Sequence, residues 1–295
     1  MIWDLVVTGH DGQFESGLHD IVSRLKTLSS VSVEVTYDPG ALATVRLDDP
    51  TTELSRARIR QLCDKSGVDA YISNGRPTKR KLLVADMEAT IILDEMLDVL
   101  AEERGIGVAI TGITARAMAG ELDFAQSLIE RTKLLAGTPV ALLEALCQRI
   151  RIAPGARALI RTMNADGATT VLATGGYGIF ADVVAQICSF DKVVANHPVV
   201  RDGVLTGDLI HPISTAETKR DVLLQNCAEL GIDPQMACCI GDGANDMLML
   251  KACGLPISYR GKPVVRNLVD LDIQHGDLTA ALFAQGFSRS EILEG

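Results

Sequence analysis

Residues 82–90 read LLVADMEAT, an apolar run of four residues that ends at Asp86. A short apolar run followed directly by polar residues is typical of a buried parallel strand whose carboxyl end reaches the edge of a sheet. Two later runs have the same form, and they end in residues 174–176 (TGG) and 241–246 (GDGAND). We therefore expect a sheet with polar side chains gathered at the carboxyl ends of its strands.

Strand-like and helix-like segments alternate around these runs. Beyond Pro154-Gly155 the pattern predicts helices at 156–165, 179–188, 218–230 and 246–252, and strands at 169–173, 192–195, 236–240 and 256–259. Such alternation predicts an α/β fold with a doubly wound, Rossmann-like parallel sheet. Residues 97–151 are helical in pattern, with glycines as breaks and no convincing strand, which predicts an inserted helical cap.

The first 75 residues have a different order. Strand-like runs at 2–8, 31–37, 42–47 and 68–72 flank helical stretches near 13–28 and 52–66, with Asp38-Pro39-Gly40 as a hairpin turn. The order β-α-β-β-α-β predicts an α+β, ferredoxin-like domain. A structural or oligomerisation role, such as a homodimer contact, is favoured over ligand sensing. The predicted division is 1–75 for this domain, 76–81 for a linker, 82–94 and 152–295 for the catalytic core, and 95–151 for the cap.

The composition excludes several functions. The formal net charge is -10 and the pI is about 5.0, so the surface repels nucleic acid and anionic membrane. No apolar run is long enough to span a bilayer, and no secretion signal is expected. Seven cysteines without paired spacing predict buried free thiols in a reducing, cytoplasmic compartment. The basic stretch 74–81 is interpreted as a solvated linker whose charges need no partner.

The residues at the strand ends are those that phosphoryl transfer requires. The Asp86 carboxylate can attack phosphorus and form an acyl-phosphate. Glu88, two residues on, can protonate the leaving alkoxide and then deprotonate a water. Thr174 offers a hydroxyl group and Gly175 an unobstructed N–H to phosphate oxygens, while Lys219 can neutralise their charge.

Mg²⁺ is the expected cofactor, because this ion prefers oxygen ligands and needs few carboxylates. Asp86, Asp242 and a backbone carbonyl near Glu88 would supply them. Each motif alone has an ordinary alternative: a loop, a turn or a solvated lysine. Their joint occurrence at successive strand ends favours a catalytic site.

These four segments resemble the motifs of the haloacid dehalogenase superfamily, and most closely those of its phosphoserine phosphatases. The resemblance covers about 81–287. It includes residues 113–127 (ITARAMAGELDFAQS), 202–207 (DGVLTG) and 275–279 (HGDLT), and also Arg131 with Leu134-Leu135. The run in the cap is highly specific to that enzyme family. The N-terminal residues match only in kind, because bacterial members often carry an ACT-like domain there.

The resemblance implies further roles. Asn245 would contact phosphate and Asp246 would support the metal ligands. Glu95 would bind the ammonium group of O-phospho-L-serine, Arg131 its carboxylate, and Phe124 would form an apolar wall. The alternatives are a plain helix-face charge for Glu95, and an ion pair of Arg131 with Glu130 or Glu121.

Two residues depart from the family pattern, which usually has Asp at position 88 and Ser at position 89. Glu88 keeps the carboxylic acid but adds a methylene, and catalysis is sensitive to shifts of that size. The expected activity is hydrolysis of O-phospho-L-serine in the last step of serine biosynthesis. Two alternatives are a phosphatase or phosphotransferase that acts on another small phosphate ester, and an amino-acid sensor in which Glu88 has disabled turnover.

Overall fold

The computed structural model describes residues 2–8, 14–27, 32–38, 42–48, 55–73 and 77–294. The strands are β1 (Ile2–Thr8), β2 (Ser32–Asp38), β3 (Leu42–Asp48), β4 (Asp69–Ser73), β5 (Leu82–Ala85), β6 (Thr169–Tyr177), β7 (Lys192–Asn196), β8 (Pro198–Arg201), β9 (Val204–Leu209), β10 (Ala237–Gly241), β11 (Leu255–Tyr259) and β12 (Leu271–Ile273). The predicted turn at Pro39-Gly40 and the predicted helix start at Thr52 lie outside the described residues.

The helices are α1 (Phe14–Lys26), α2 (Arg56–Ser66), α3 (Met96–Glu103), α4 (Gly107–Met118), α5 (Phe124–Leu134), α6 (Val140–Cys147), α7 (Ala156–Ala165), α8 (Gly178–Cys188), α9 (Ala216–Leu230), α10 (Met247–Ala252), α11 (Pro263–Arg266) and α12 (Ala280–Phe283). Among the described residues, no helix is both long and apolar enough to cross a membrane. All seven cysteines are buried and unpaired, as predicted.

The core sheet places the polar strand ends together. Its parallel strands lie in the order β12-β11-β10-β5-β6-β7, so the chain moves outward from β5 in both directions. Ligands bind where the order reverses in this way, beyond the carboxyl ends of the strands. Every residue of β5 and β10 is buried, because helices cover both faces of the sheet. The predicted α/β doubly wound fold is confirmed.

The first unit forms an antiparallel sheet in the order β2-β3-β1-β4, with α1 packed on α2. Buried Phe14, Leu18, Ile21 and Leu25 recur on α1 at helical spacing, which explains why this stretch folds as an amphipathic helix. Helix α2 begins at Ser55, whose hydroxyl accepts the Arg58 N–H. This is the strand order of a ferredoxin-like unit.

The two sheets join edge to edge. Strand β4 pairs antiparallel with β12 at Tyr71 and Leu271, which makes one continuous sheet of ten strands. Beside this junction the buried carboxylate of Asp69 accepts hydrogen bonds from the backbone N–H groups of Gln274, His275 and Gly276, at 2.7–3.2 Å. The loop 274–276 of the core is therefore held by a residue of the first unit.

Helices α3–α6 lie between β5 and α7 in the chain and cover the carboxyl edge of the core sheet. The antiparallel hairpin β8-β9 supports them: the Gly137 N–H donates to the Leu205 carbonyl at 2.8 Å, and the Leu205 N–H donates to Thr138 at 2.9 Å. The sequence prediction did not include this hairpin. Its strands alternate over too few residues, on either side of Asp202-Gly203, to stand out from a loop.

The expectation that the charges of the stretch 74–81 have no partner is wrong for Lys79 and Arg80. Lys79 Nζ lies 2.9 Å from Asp166 and 2.8 Å from Glu291, and it packs 4.1 Å from the centre of the Phe287 ring. Arg80 donates to the Gln235 carbonyl at 2.7 Å. Lys79 and Arg80 therefore contact acidic, aromatic and backbone groups of the core. These partners are distant in sequence, so a local charge count does not reveal them.

We predict that Asp69→Ala lowers the free energy of unfolding by ~3 kcal/mol, because it leaves three backbone N–H donors, one buried and two half-buried, without their acceptor. Asp69→Asn, which keeps one acceptor oxygen and the volume, should cost less. Asp64→Ala is the matched control: it removes an exposed ion pair with Arg266 and should cost less than about 1 kcal/mol. Urea denaturation measures all three. Equal losses for Asp69→Ala and Asp64→Ala would contradict this account.

Candidate active site

The Asp86 side chain is fixed at the end of β5. Its Oδ1 accepts the Met87 N–H at 2.7 Å and lies 2.7 Å from Lys219 Nζ. Its Oδ2 contacts the Asn245 amide nitrogen at 3.5 Å. Asp86 and Lys219 are 4% and 2% exposed. The two oxygens of Asp86 are therefore unequal, since Oδ1 is held by two close donors and Oδ2 is not.

The end of β10 supplies two further carboxylates. Asp246 Oδ1 lies 2.7 Å from Lys219 Nζ, while its Oδ2 accepts the N–H groups of Asp242 and Gly243, both at 3.1 Å. Asp242 Oδ2 lies 3.0 Å from Lys262 Nζ. Both carboxylate oxygens of Asp246 thus contact donors of the protein, whereas the Asp242 side chain lines the cavity above the sheet.

The predicted turn at Thr174–Gly176 lies within β6, where the pairing with β7 is irregular, and side chains of neighbouring segments hold it. The Thr174 hydroxyl accepts the Gly176 N–H at 2.9 Å. The buried Asn196 side chain donates to the Gly175 carbonyl at 2.8 Å and accepts the Ser214 N–H at 2.7 Å. Asn196 was not singled out from the sequence, because a single Asn after a strand carries no pattern. It fixes the turn that carries Thr174 and Gly175.

The cap closes a cavity of about 290 Å³ over these residues. Glu95, Phe124 and Arg131 line it from the cap side, opposite Asp86 and Thr174. Phe124 lies directly on the turn: a Cβ on Gly175 would come within 2.3 Å of the ring. Only glycine therefore allows the ring to approach the Gly175 backbone this closely.

Arg131 keeps unused donor capacity. Its Nη2 lies 2.5 Å from Asp98 Oδ1, but its Nε is buried and has no hydrogen-bond partner in the described part of the chain. The alternative pairing of Arg131 with Glu130 or Glu121 is wrong for the described residues: Arg131 pairs with Asp98, and both glutamates contact Arg116.

Glu88 lies in the same cavity, on the loop that leaves β5. Its Oε1 accepts the backbone N–H of Met96, the first residue of α3, at 2.9 Å. The loop turns sharply after it, with Ala89 at a φ of 51°, a left-handed conformation that is uncommon for alanine.

Burial sets the protonation of these groups. It raises the pKa of Asp86 to about 7, aided by repulsion from Asp246 and opposed by Lys219. It raises the pKa of Glu88 to about 8, with repulsion from Glu95 and Asp86. Burial lowers the pKa of Lys219, but attraction to Asp246 and Asp86 outweighs burial and leaves this pKa above its ordinary value. Lys219 is therefore charged at neutral pH.

The structure brings the predicted site residues together. Asp86, Glu88, Glu95, Phe124, Arg131, Thr174, Gly175, Asp242 and Asn245 all line the cavity, and Lys219 and Asp246 lie beneath Asp86. Lys262, Asp98 and Thr114 also line it and were not predicted. Thr114 belongs to the cap run 113–127, which could have pointed to it, whereas no spacing signal marks Asp98 or Lys262, which reach the cavity through the packing of the cap and of the loop before α11.

The cavity also contains oxygen donors suited to a hard cation. Asp86, Asp242 and Asp246 each offer a carboxylate oxygen, all within 4.8 Å of one another. Three buried carboxylates at this separation repel each other, and a divalent cation would relieve that repulsion. The donor set fits Mg²⁺ and contains no sulfur or imidazole ligand.

The sequence model of the haloacid dehalogenase-like hydrolase family matches residues 53–254 of this chain. The chain belongs to this family. The resemblance inferred from the motifs is thereby confirmed. The match contains the Asp86, Thr174, Lys219 and Asp242 segments and every residue named here as lining the cavity except Lys262.

The chain is 39% identical over 197 residues to the phosphoserine phosphatase of Streptococcus thermophilus, which covers 67% of this chain and 92% of that protein. It is 34% identical over 213 residues to the phosphoserine phosphatase of Mycobacterium tuberculosis, covering 72% of this chain and 52% of that protein. It therefore spans about half the length of the mycobacterial relative. The crystal structure of a haloacid dehalogenase family hydrolase from Salmonella enterica has a TM-score of 0.85 and 29% identity, and covers 96% of this chain and 98% of that one.

We predict that the metal-free protein loses stability as the pH rises. A carboxyl group whose folded-state pKa is raised stabilises the fold at low pH, and this contribution is lost as the pH rises through the folded-state pKa, which is about 8 for Glu88. In EDTA, the Tm of the wild type should therefore fall by at least about 3 °C more than that of Glu88→Gln between about pH 6 and about pH 9.

The control for this measurement is Glu121→Gln, the same change at an exposed glutamate of the cap. It should keep the pH dependence of the wild type. A Glu88→Gln protein whose Tm falls as steeply as that of the wild type would show that burial of Glu88 does not carry the effect.

Proposed function

We propose that this protein hydrolyses O-phospho-L-serine to L-serine and phosphate through an aspartyl-phosphate on Asp86. The observation that carries the proposal is the composition of one cavity between the core and the cap. It contains a buried carboxylate held by a lysine on the core side, and an anion and a guanidinium group on the cap side. A substrate with a phosphate at one end and a zwitterion at the other matches both halves.

The nucleophile is the Oδ2 atom of Asp86. Oδ1 is held by Met87 and Lys219 at 2.7 Å, which orients the carboxylate and leaves the lone pairs of Oδ2 for attack on phosphorus. The Oδ2–P bond forms as the bond from phosphorus to the seryl oxygen breaks. Lys219, Asn245, the Thr174 hydroxyl and the Gly175 N–H bind the phosphoryl oxygens and offset their charge.

Glu88 moves the protons. In the first half-reaction its carboxylic acid protonates the departing seryl oxygen, and in the second its carboxylate takes a proton from the attacking water. Water oxygen then bonds to phosphorus and the Oδ2–P bond breaks, which restores Asp86. A pKa raised by burial suits the first role, because it keeps Glu88 protonated at neutral pH.

Mg²⁺ is the proposed cofactor, held by the carboxylates of Asp86 and Asp242 and by the main-chain carbonyl of Glu88. Bound there, it would supply positive charge to the phosphoryl oxygens. Asp246 orients the site from behind, through its hydrogen bonds to the Asp242 and Gly243 N–H groups. These hydrogen bonds support the predicted role of Asp246, which is to orient the metal ligands without binding the metal itself.

The cap recognises the amino acid. Glu95 binds the ammonium group and Arg131 the carboxylate, for which its buried, unpartnered Nε is a ready donor. Phe124 packs against Gly175 and shields the reacting atoms from bulk water. In this scheme residues 95–151 act as the cap and residues 82–94 with 152–295 as the catalytic core. The buried free cysteines support a reducing, cytoplasmic setting, and the homodimer stays a prediction.

We predict Mg²⁺-dependent release of phosphate from O-phospho-L-serine, with no release by Asp86→Asn, which keeps the shape of the side chain but lacks the nucleophile. Phosphoethanolamine, which lacks the carboxylate, should lose at least about 100-fold in kcat/KM because the buried Nε of Arg131 would be left without an acceptor in the cavity. A colorimetric phosphate assay measures each rate. Equal kcat/KM values for the two substrates would contradict the assignment of phosphoserine, and release by Asp86→Asn would contradict the nucleophile.

A further inference from the structure

The hydrogen bond between Glu88 and helix α3 spans the junction of core and cap. Glu88 belongs to the loop that leaves β5, whereas Met96 is the first residue of α3. The capping residue of that helix is Glu95, whose own side chain makes no capping hydrogen bond within the described part of the chain. The first N–H of α3 is therefore satisfied by a carboxylate from eight residues upstream.

The other oxygen of the same carboxylate, Oε2, faces the segment Thr174–Gly176, which is proposed to bind phosphate. A Cβ built on Gly176 would lie 3.0 Å from Glu88 Oε2. The carboxylate is thus held between the start of α3 and the turn that carries Thr174 and Gly175. One oxygen is tethered to the helix and the second is left beside the place where the phosphoryl group would bind.

We propose that the glutamate at position 88 is a working adaptation in which the Met96 N–H positions the catalytic carboxyl group, a role that rests on the function proposed above. The length of the glutamate side chain allows its carboxylate to reach the Met96 N–H, a hydrogen bond that we call the tether. Aspartate is shorter by one methylene, so its carboxylate would stop about 1 Å or more short of the N–H, beyond hydrogen-bond distance. Displacements of that size cost up to about 100-fold in rate.

The Glu95 side chain makes no capping hydrogen bond with any described residue and lines the cavity instead. Because α3 is the first helix of the cap, the position of the acid depends on where the cap sits. Proton transfer and closure of the cap are thereby coupled through one hydrogen bond.

The decisive variants are Glu88→Asp, which shortens the acid, and Met96→Pro, which removes the N–H. Proline is tolerated at the first position of a helix, and the backbone of Glu95, with φ -97° and ψ 96°, is extended and outside the helical region that a following proline disfavours. Met96→Ala is the matched control, because it also removes the buried side chain but keeps the N–H. Circular dichroism and Tm establish that all the variants are folded at the assay temperature.

With O-phospho-L-serine and Mg²⁺, kcat should fall ~10–100-fold in Glu88→Asp, with KM within about threefold of the wild type. Met96→Pro should show a similar fall in kcat relative to Met96→Ala. The double variant Glu88→Asp/Met96→Pro should lose little more than either single variant, since both break the same hydrogen bond. A purely structural effect at Met96 would instead lower the kcat values of Met96→Ala and Met96→Pro by the same factor.

The inference is overturned by a Glu88→Asp enzyme as fast as the wild type or faster, by equal kcat values for Met96→Pro and Met96→Ala, or by additive losses in the double variant. A wild type that releases no phosphate from O-phospho-L-serine is a different outcome, because it contradicts the proposed function itself. The wild-type rate is therefore measured first and separates the two failures.

Discussion

One ammonium group, that of Lys219, is buried between the carboxylates of Asp86 and Asp246 at the carboxyl edge of the sheet. A lysine that is 2% exposed is stable there only because two anions compensate for its lost hydration. The three residues come from α9, from the end of β5 and from the loop after β10. Their mutual attraction therefore fixes how one helix and two strand ends meet, and the cavity is built above that contact.

The same interaction explains how an acidic protein can hold a phosphate. The chain carries a formal charge of -10, so long-range attraction does not bring an anion to the site. Binding depends on local charge, from Lys219 below Asp86, Lys262 beside Asp242 and Arg131 in the cap. The cap increases the effect of these charges, because excluding water strengthens each electrostatic interaction inside the cavity.

The sequence predicts the core sheet and most of the cavity because both depend on local pattern. Buried parallel strands are continuous apolar runs, and polar residues that follow them must meet at one edge of the sheet. The parts that escape prediction are long-range contacts. Lys79 is a solvated charge by sequence, yet it binds Asp166 and Glu291. Asn196 and Lys262 reach the site only through the packing of separate segments, and the hairpin of β8 and β9 is too short to leave a periodic signal.

At position 88 the sequence motif identifies the catalytic acid but does not show what its side chain contacts. From the motif alone, glutamate in place of aspartate leaves two alternatives open, a working acid and a disabled one. In the structure the longer side chain lets the Glu88 carboxylate accept the Met96 N–H. This hydrogen bond links the residue to the first helix of the cap. A departure from a family pattern is thus best judged by what the altered atoms contact, not by the change in side-chain length alone.

The central claim is that Asp86 becomes covalently phosphorylated. The most direct test is to quench the enzyme with acid during turnover of O-phospho-L-serine, reduce it with borohydride and map the peptides by mass spectrometry. Reduction converts an aspartyl-phosphate to homoserine, and the account predicts homoserine at position 86 only in the presence of substrate. Homoserine at another aspartate, or none at position 86 during active turnover, would contradict it.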